Sequence, residues 1–295
     1  MKAEVFLATY LPFYRAMMLT ITGVFLFTCV DIFIKLLSSS FQVGQILIVF
    51  GLGTAIMFWV MALLSGQSVF DSRYVHKATL FRCVSETIGG LALVIALSNS
   101  DLSVVTAIMQ TSPLVLTIMA VVFLKEKIGP PRVIAIFVGF MGVLIIIRPT
   151  LEGIDIFAVS ALIGVIGLAG RDFSARILPG DISVIGLSFF GSLSVVLAGM
   201  LLMVFSGGWV LPDIMQMMCC IGMIIAGGLG LWCMSLSIRL ADVSAVSPFR
   251  YARIVFGMVT GVVIFNENID SLTIIGSAII VGAGLYTWSR ERRFA

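Results

Sequence analysis

A chain of 295 residues that is 60% hydrophobic and 11% charged, with mean hydropathy +1.17, carries more apolar surface than a water-soluble domain of that length can bury. Such numbers define an all-α integral membrane protein and leave no room for an extramembrane catalytic or nucleic-acid-binding domain. The net charge of +3 says little as a total; the placement of the charges says more.

Met1 to Ala16 carries Lys2, Glu4 and Arg15 among aromatics and lacks the compact apolar core and small-residue cleavage site of a leader. It reads as an interfacial lead-in to the first span. Apolar runs of spanning length then fall near 17–37, 44–64, 80–98, 102–124, 131–147, 156–177, 182–206, 215–238, 243–265 and 272–289, so that ten transmembrane helices are expected. Gly129-Pro130-Pro131 opens the fifth and Arg148-Pro149 closes it. With the N terminus inside, thirteen of the eighteen basic residues fall in inner loops or at inner helix ends. Lys35 and Arg148 fall at outer ends, and Arg171, Arg250 and Arg253 lie within helices. The asymmetry predicts an inner-membrane protein with both termini cytoplasmic.

An internal repeat runs at a constant offset of 141 residues. It relates Asp31-x-x-x-Lys35 to Asp172-x-x-x-Arg176, Gly23 to Gly164, Gly89 to Gly230, Ser103 to Ser244, and FLKEKI at 123–128 to IFNENI at 264–269. The chain therefore divides into two five-helix repeats, 1–148 and 149–295, that together form one membrane domain. Five helices per half force the halves into opposite orientations, an inverted 5+5 repeat of the kind secondary transporters use for alternating access.

Within the ninth run, from Val243 to Phe265, the only formal charges are Arg250 and Arg253. At 1.5 Å per residue Arg253 stands roughly 15 Å into a ~30 Å hydrocarbon core. An arginine there costs about 2.5–3.5 kcal/mol even on a mild insertion scale, so it needs a wet cavity or a partner. The repeat places Met109 and Ser112 opposite the two arginines, so the fold does not demand them. A guanidinium fork suits a carboxylate, phosphate or ionised imide; the other reading is a salt bridge to a neighbouring helix. Glu86 stands one turn beyond Arg82. It either pairs along that helix face or meets the ninth-helix arginines across a cavity, where it becomes a proton-coupling carboxylate.

Asp31 with Lys35 and Asp172 with Arg176 have the spacing of symmetric structural or gating pairs, while Arg171 has no counterpart. Glu126 and Glu267 precede the fifth and tenth helices, where a carboxylate favours a helix N terminus. Gln110, beside Thr111, Ser112 and Pro113, is a candidate cavity hydrogen-bonder, and Pro113 and Pro248 are candidate kinks. Trp232, Phe249 and Tyr251 would stack on a planar ligand or pack against helices and lipid. Gly139 with Gly142, Gly227 with Gly230, and Gly282 with Gly284 suggest close helix packing. The five cysteines lie in or beside apolar runs, without CxxC or metal-ligand spacing, and read as small apolar residues.

The two halves end in FLKEKI...GFMGVLIIIRP and IFNENI...IGSAIIVGAGLY, and PFRYAR stands at 248–253. With these, essentially the whole chain resembles the EamA branch of the drug/metabolite transporter superfamily. The resemblance implies an inner-membrane carrier whose helices one to four and six to nine surround a central cavity, with the fifth and tenth peripheral. Its members handle amino acids, amines, nucleotide-like metabolites and vitamins such as riboflavin.

Function is therefore expected to be alternating-access transport of a small organic metabolite that is anionic, zwitterionic or imide-bearing. Arg250, Arg253, Tyr251, Phe249, Glu86, Gln110 and Trp232 are the candidate substrate residues; Asp31, Lys35, Asp172, Arg176 and Arg82 are candidate gating or structural partners. The expected partners are the lipid bilayer, a small-molecule substrate and a coupling proton, with no nucleic acid, no cofactor and no metal, in a monomer or homodimer. The competing reading is a non-transporting subunit or sensor with structurally paired charges. Enzyme chemistry has little to stand on: His76 is the sole histidine, and HExxH, GxSxG and Walker A patterns are absent.

Overall fold

The computed structural model describes residues 2–74, 76–125, 129–147, 155–177, 183–206, 208–240 and 247–291, and among these every regular element is helical. In chain order they are α1 (Lys2–Leu37), α2 (Val43–Leu64), α3 (Lys77–Asn99), α4 (Leu102–Met109), α5 (Ser112–Leu124), α6 (Pro130–Ile147), α7 (Ile156–Arg176), α8 (Val184–Ser206), α9 (Ile214–Leu240), α10 (Ala252–Phe265) and α11 (Ser271–Glu291). Short 3-10 segments at Ser72–Tyr74 and Ser247–Tyr251 precede α3 and α10. In hydrocarbon a backbone must satisfy its own amides, and apolar runs of this length do so as helices.

Among the described residues seven spans have the length and composition to cross a bilayer: Phe13–Leu37, Val43–Leu64, Lys77–Asn99, Leu102–Leu124, Ile156–Ser174, Ile185–Val204 and Ile214–Met234. Val133–Ile147 and Ser271–Tyr286 are shorter apolar helices. The lead-in expected before the first span continues into it as one helix from Lys2.

The most extensive helix pairs form between the halves. α1 lies on α9, α2 on α8, α3 on α7, α4 on α10 and α6 on α11. Shifting every residue by 141 and exchanging the halves turns α1·α9 into α7·α3 and leaves α2·α8 and α6·α11 unchanged, whereas α4·α10 would map onto α5 with residues 243–250, which are described only from 247. The repeat glycines lie in these contacts. A Cβ at Gly23 would stand 3.3 Å from the Gly230 carbonyl oxygen, and one at Gly164 would stand 3.3 Å from the Leu93 nitrogen and 3.5 Å from the Gly89 carbonyl. At Gly89 a Cβ would come within 2.8 Å of the Leu168 nitrogen, backbone that cannot swing aside. Gly89→Leu is thus expected to lower stability in detergent by about 1–3 kcal/mol through overpacking, whereas Gly282→Ala, inside α11 with nothing within 4 Å, should hold or slightly raise the melting temperature. Equal melting of both variants would remove the close-packing role of Gly89.

Two interruptions fall in register. α4 stops at Met109 and α5 starts at Ser112, because Pro113 in the first turn of α5 has no amide to give and would clash with the Met109 carbonyl. The corresponding place in the second half is the change from 3-10 to α winding at Tyr251 and Ala252. The prolines do not correspond, but the breaks do. Pro113 and Pro248 therefore stand at helix starts rather than within helices. Both segments also end alike. Lys125 and Asn266, 141 apart, adopt left-handed backbone (φ 54° and 52°), and their amides donate to the Ala120 and Gly261 carbonyls, also 141 apart.

Packing is uneven along the helix axes. The main apolar core collects Leu37, Leu97, Leu102, Val105, Val143 and Ala161, from the late parts of α1, α3 and α6 and the early parts of α4 and α7. Those parts share one end of the bundle. A smaller cluster of Ala55, Phe58, Ala62, Val69 and Phe189 sits towards the opposite end.

Candidate functional site

The ion pairs descend through the interior in three levels. At the packed end Glu267 is the acceptor for four donors: Lys35 Nζ at 2.7 Å, the Leu102 amide at 2.6 Å, and the Ser103 amide and Oγ at 3.0 and 2.8 Å. Lys35 also donates to the Ser100 carbonyl at 2.9 Å. Glu267 thus caps α4, whose own N-cap residue, Asp101, makes no side-chain cap bond. The left-handed turn at Asn266 throws Glu267 back across to α4 instead of leaving it over the start of α11, where the sequence placed it.

One level further in, Arg253 Nη2 donates to Asp31 Oδ2 at 2.6 Å, with the guanidinium 5.8 Å from the centre of the Phe27 ring. Exposure of the two side chains is 13% and 2%. Asp31 and Lys35, four apart on α1, therefore take separate partners on the second half rather than each other. Only interhelical packing can reveal this, since one carboxylate and one ammonium at that spacing satisfy a local rule equally well.

Towards the opposite end lies a broader cluster. Asp172 on α7 receives Arg171 at 3.0 Å and faces Arg250 at 3.7 Å. Arg82 and Glu86 on α3 pair across 3.3 Å, and Arg82 also donates to Ser188 on α8 at 3.2 Å. Glu86 thus takes the local partner on its own helix. Arg250 and Asp172 keep 30% and 28% of their side-chain surface exposed, against 5% and 12% for Arg82 and Glu86. Arg171, which had no repeat counterpart to explain it, belongs to this cluster. The side chain of Arg176, and all of Glu126, lie outside the described residues.

The two interruptions meet here. Gln110, at the break between α4 and α5, donates its amide to the Arg250 carbonyl at 2.7 Å. That carbonyl belongs to the 3-10 segment that precedes α10, so the bond ties the two interruptions together. Tyr251 is buried beside Gly284 of α11. Phe249 meets the Phe13 ring edge-on at 6.2 Å. Trp232 stands 47% exposed on α9. Phe27, Ser103 and Ser188 were not singled out as charge partners from sequence; of these only Ser103 left a signal, its place in the repeat register.

A multi-pass helical membrane protein of two like halves, with paired charges inside and broken helices at matching positions, has the build of a membrane carrier. The profile of the EamA-like transporter family matches residues 14–148 and again 155–288, and the chain belongs to that family. This is a family of membrane transporters rather than enzymes. Among similar proteins, an S-adenosylmethionine uptake transporter of Rickettsia conorii is 26% identical over 67% of this chain and 66% of its own. A riboflavin transporter of Brucella anthropi is 26% identical over 66% of this chain and 70% of its own. The chain thus matches about two thirds of their length. A crystal structure of another protein, 14% identical, shares the fold with TM-score 0.65 over 95% of this chain and 98% of that one.

Proposed function

We propose that the protein is a secondary transporter that carries a small organic metabolite across the bacterial inner membrane by alternating access. The transmembrane arrangement is ten helices in an inverted 5+5 repeat, residues 1–148 and 149–295, with both termini in the cytoplasm. The observation that carries this reading is the pair of interruptions at Gln110-Thr111 and Tyr251-Ala252, which are in repeat register and in contact through the Gln110 to Arg250 hydrogen bond. Interrupted helices at corresponding places in two halves are the build in which carriers expose backbone and side-chain groups to a substrate near the midplane. The packed end falls on the outer side in this orientation, and the partly exposed cluster of Arg250, Asp172 and Arg171 falls towards the cytoplasm. The arrangement is therefore inward-facing, with the three levels of ion pairs acting as gate and site.

The substrate classes of the relatives fit the arginines in chemical terms. S-adenosylmethionine bears an amino-acid head with a carboxylate, and riboflavin bears an imide. Arg250, with Gln110 and Phe249 beside it, forms the substrate side of the proposed site. Reconstituted protein is expected to show saturable counterflow, in which labelled solute enters vesicles preloaded with the same unlabelled solute. Amino acids, S-adenosylmethionine and riboflavin make the panel. Vesicles that give no counterflow with any of them would favour a non-transporting membrane subunit whose charges are only structural.

A further inference from the structure

We propose that Arg250 is the anchor for a carboxylate on the transported solute, which displaces its loose contact with Asp172, and that Arg253 is a fixed structural cation and not a second ligand. The assignment rests on the transporter reading and narrows its substrate to carboxylate-bearing metabolites.

The two arginines are one turn apart on the same segment, yet their surroundings differ in every respect that matters for a ligand. Arg253 has a carboxylate at 2.6 Å that is 2% exposed, and an aromatic ring within cation–π range. To engage a solute it would have to abandon Asp31 in a dry interior, a costly exchange. Arg250 faces its carboxylate at 3.7 Å, beyond hydrogen-bond distance, with nearly a third of its side chain open. Its backbone is nevertheless held, through the Gln110 amide on its carbonyl. A fixed backbone with a loosely held guanidinium suits a group that must bind and release.

Charge counting gives the valence of the anion that Arg250 would take. Among the described side chains the cluster holds three arginines, Arg82, Arg171 and Arg250, against two carboxylates, Glu86 and Asp172. Arg171 uses both Nε and Nη2 on a single oxygen of Asp172, at 3.0 Å each, and leaves the other oxygen to Arg250. Asp172 is already served by Arg171, so Arg250 can leave it without stranding it. Among the described side chains one guanidinium is then in excess, and one monoanion balances it. A planar carboxylate matches the guanidinium fork with two parallel hydrogen bonds. A phosphate carries nearly two charges and overshoots.

The test uses purified full-length protein in detergent, with thermal stabilisation as the binding readout. The probes are S-adenosylmethionine and its decarboxylated form, a set of amino acids and the corresponding amino acid amides, inorganic phosphate, and riboflavin. At least one acid is expected to stabilise wild type while its carboxylate-free counterpart does not. Apparent affinity for that acid is expected to fall at least tenfold in Arg250→Gln and by a smaller factor in Arg250→Lys, which keeps the charge but not the fork. The loop variant Arg73→Gln, far from the cluster and paired with Asp71, should bind like wild type.

Several results overturn the assignment: acids and amides stabilising equally, stabilisation by phosphate or riboflavin but by no acid, Arg250→Gln binding as well as wild type, or no acid stabilising at all. Flux into vesicles is scored separately. Transport indifferent to the carboxylate sinks the Arg250 assignment and leaves the transporter reading intact. Acid binding that depends on Arg250 without counterflow of any solute sinks the transporter reading and leaves the anion site.

Discussion

Replacing Arg253 with methionine while Asp31 remains is expected to cost about 3–5 kcal/mol of folding stability, because the change strands a carboxylate in a dry interior. Asp31 is 2% exposed, and its oxygen lies 2.6 Å from the guanidinium. Most of the loss comes from the uncompensated charge rather than from the missing contact, so the double variant Asp31→Asn with Arg253→Met should recover the larger part of it. Melting temperature and yield of folded protein in detergent report the difference. If the single variant melted with wild type, Asp31 would have to be neutral or hydrated, and the pair would not be a lock. If the double variant were no better than the single, the guanidinium would act mainly through packing on Phe27.

Glu267→Gln is the second substitution with a large expected effect. It keeps the size of the side chain but replaces one acceptor oxygen with a donor that faces other donors, and it removes the charge opposite Lys35. Losing charge-assisted hydrogen bonds of this kind costs about 1.5–3 kcal/mol each, and the substitution is expected to cost at least about 3 kcal/mol. It carries a pH signature as well. Burial alone would raise the Glu267 carboxyl, but the donors from Lys35, Ser103 and Leu102 outweigh it and hold the group below the ordinary range. A carboxylate depressed in the folded state contributes stability that is fully present above its unfolded value of about 4.3 and is lost as pH falls through the folded value. Wild type should therefore lose stability on acidification below that point, and Glu267→Gln should lose less over the same interval. Parallel pH profiles would show that Glu267 does not stabilise α4 as a charge.

Much of the backbone was legible in the sequence because the bilayer imposes a simple rule: apolar runs near twenty residues become helices. The 141-residue register anticipated more than length. It related Gly23 and Gly89 to the residues that now lie in matching interhelical contacts, and it passes through the two left-handed ends at Lys125 and Asn266. The matching interruptions were hidden because different prolines, at non-corresponding positions, accompany them.

Partner choice was the least legible feature. The spacing of Asp31 and Lys35 suggested a local pair, yet α1 presents both to the second half, where Arg253 and Glu267 take them. For Glu86 the local rule held, since Arg82 lies within reach on the same helix. Trp232 shows a different limit. On a helix apolar on every side, nothing in the residue order separates the lipid face from the packed face, and the indole lies on the open side.

Because α1 lies on α9 and α3 on α7, the grooves of the first half are filled only by segments made much later. Gly23 meets Gly230, about two hundred residues downstream. At a synthesis rate of about 5–20 residues per second, that partner emerges roughly 10–40 s later. During that interval the nascent first half sits in the membrane with its glycine grooves open and Asp31 still lacking Arg253. Until the second half arrives, a carboxylate that the finished fold buries must be tolerated in the bilayer or at its surface, so the burden of that charge falls on the unfinished chain.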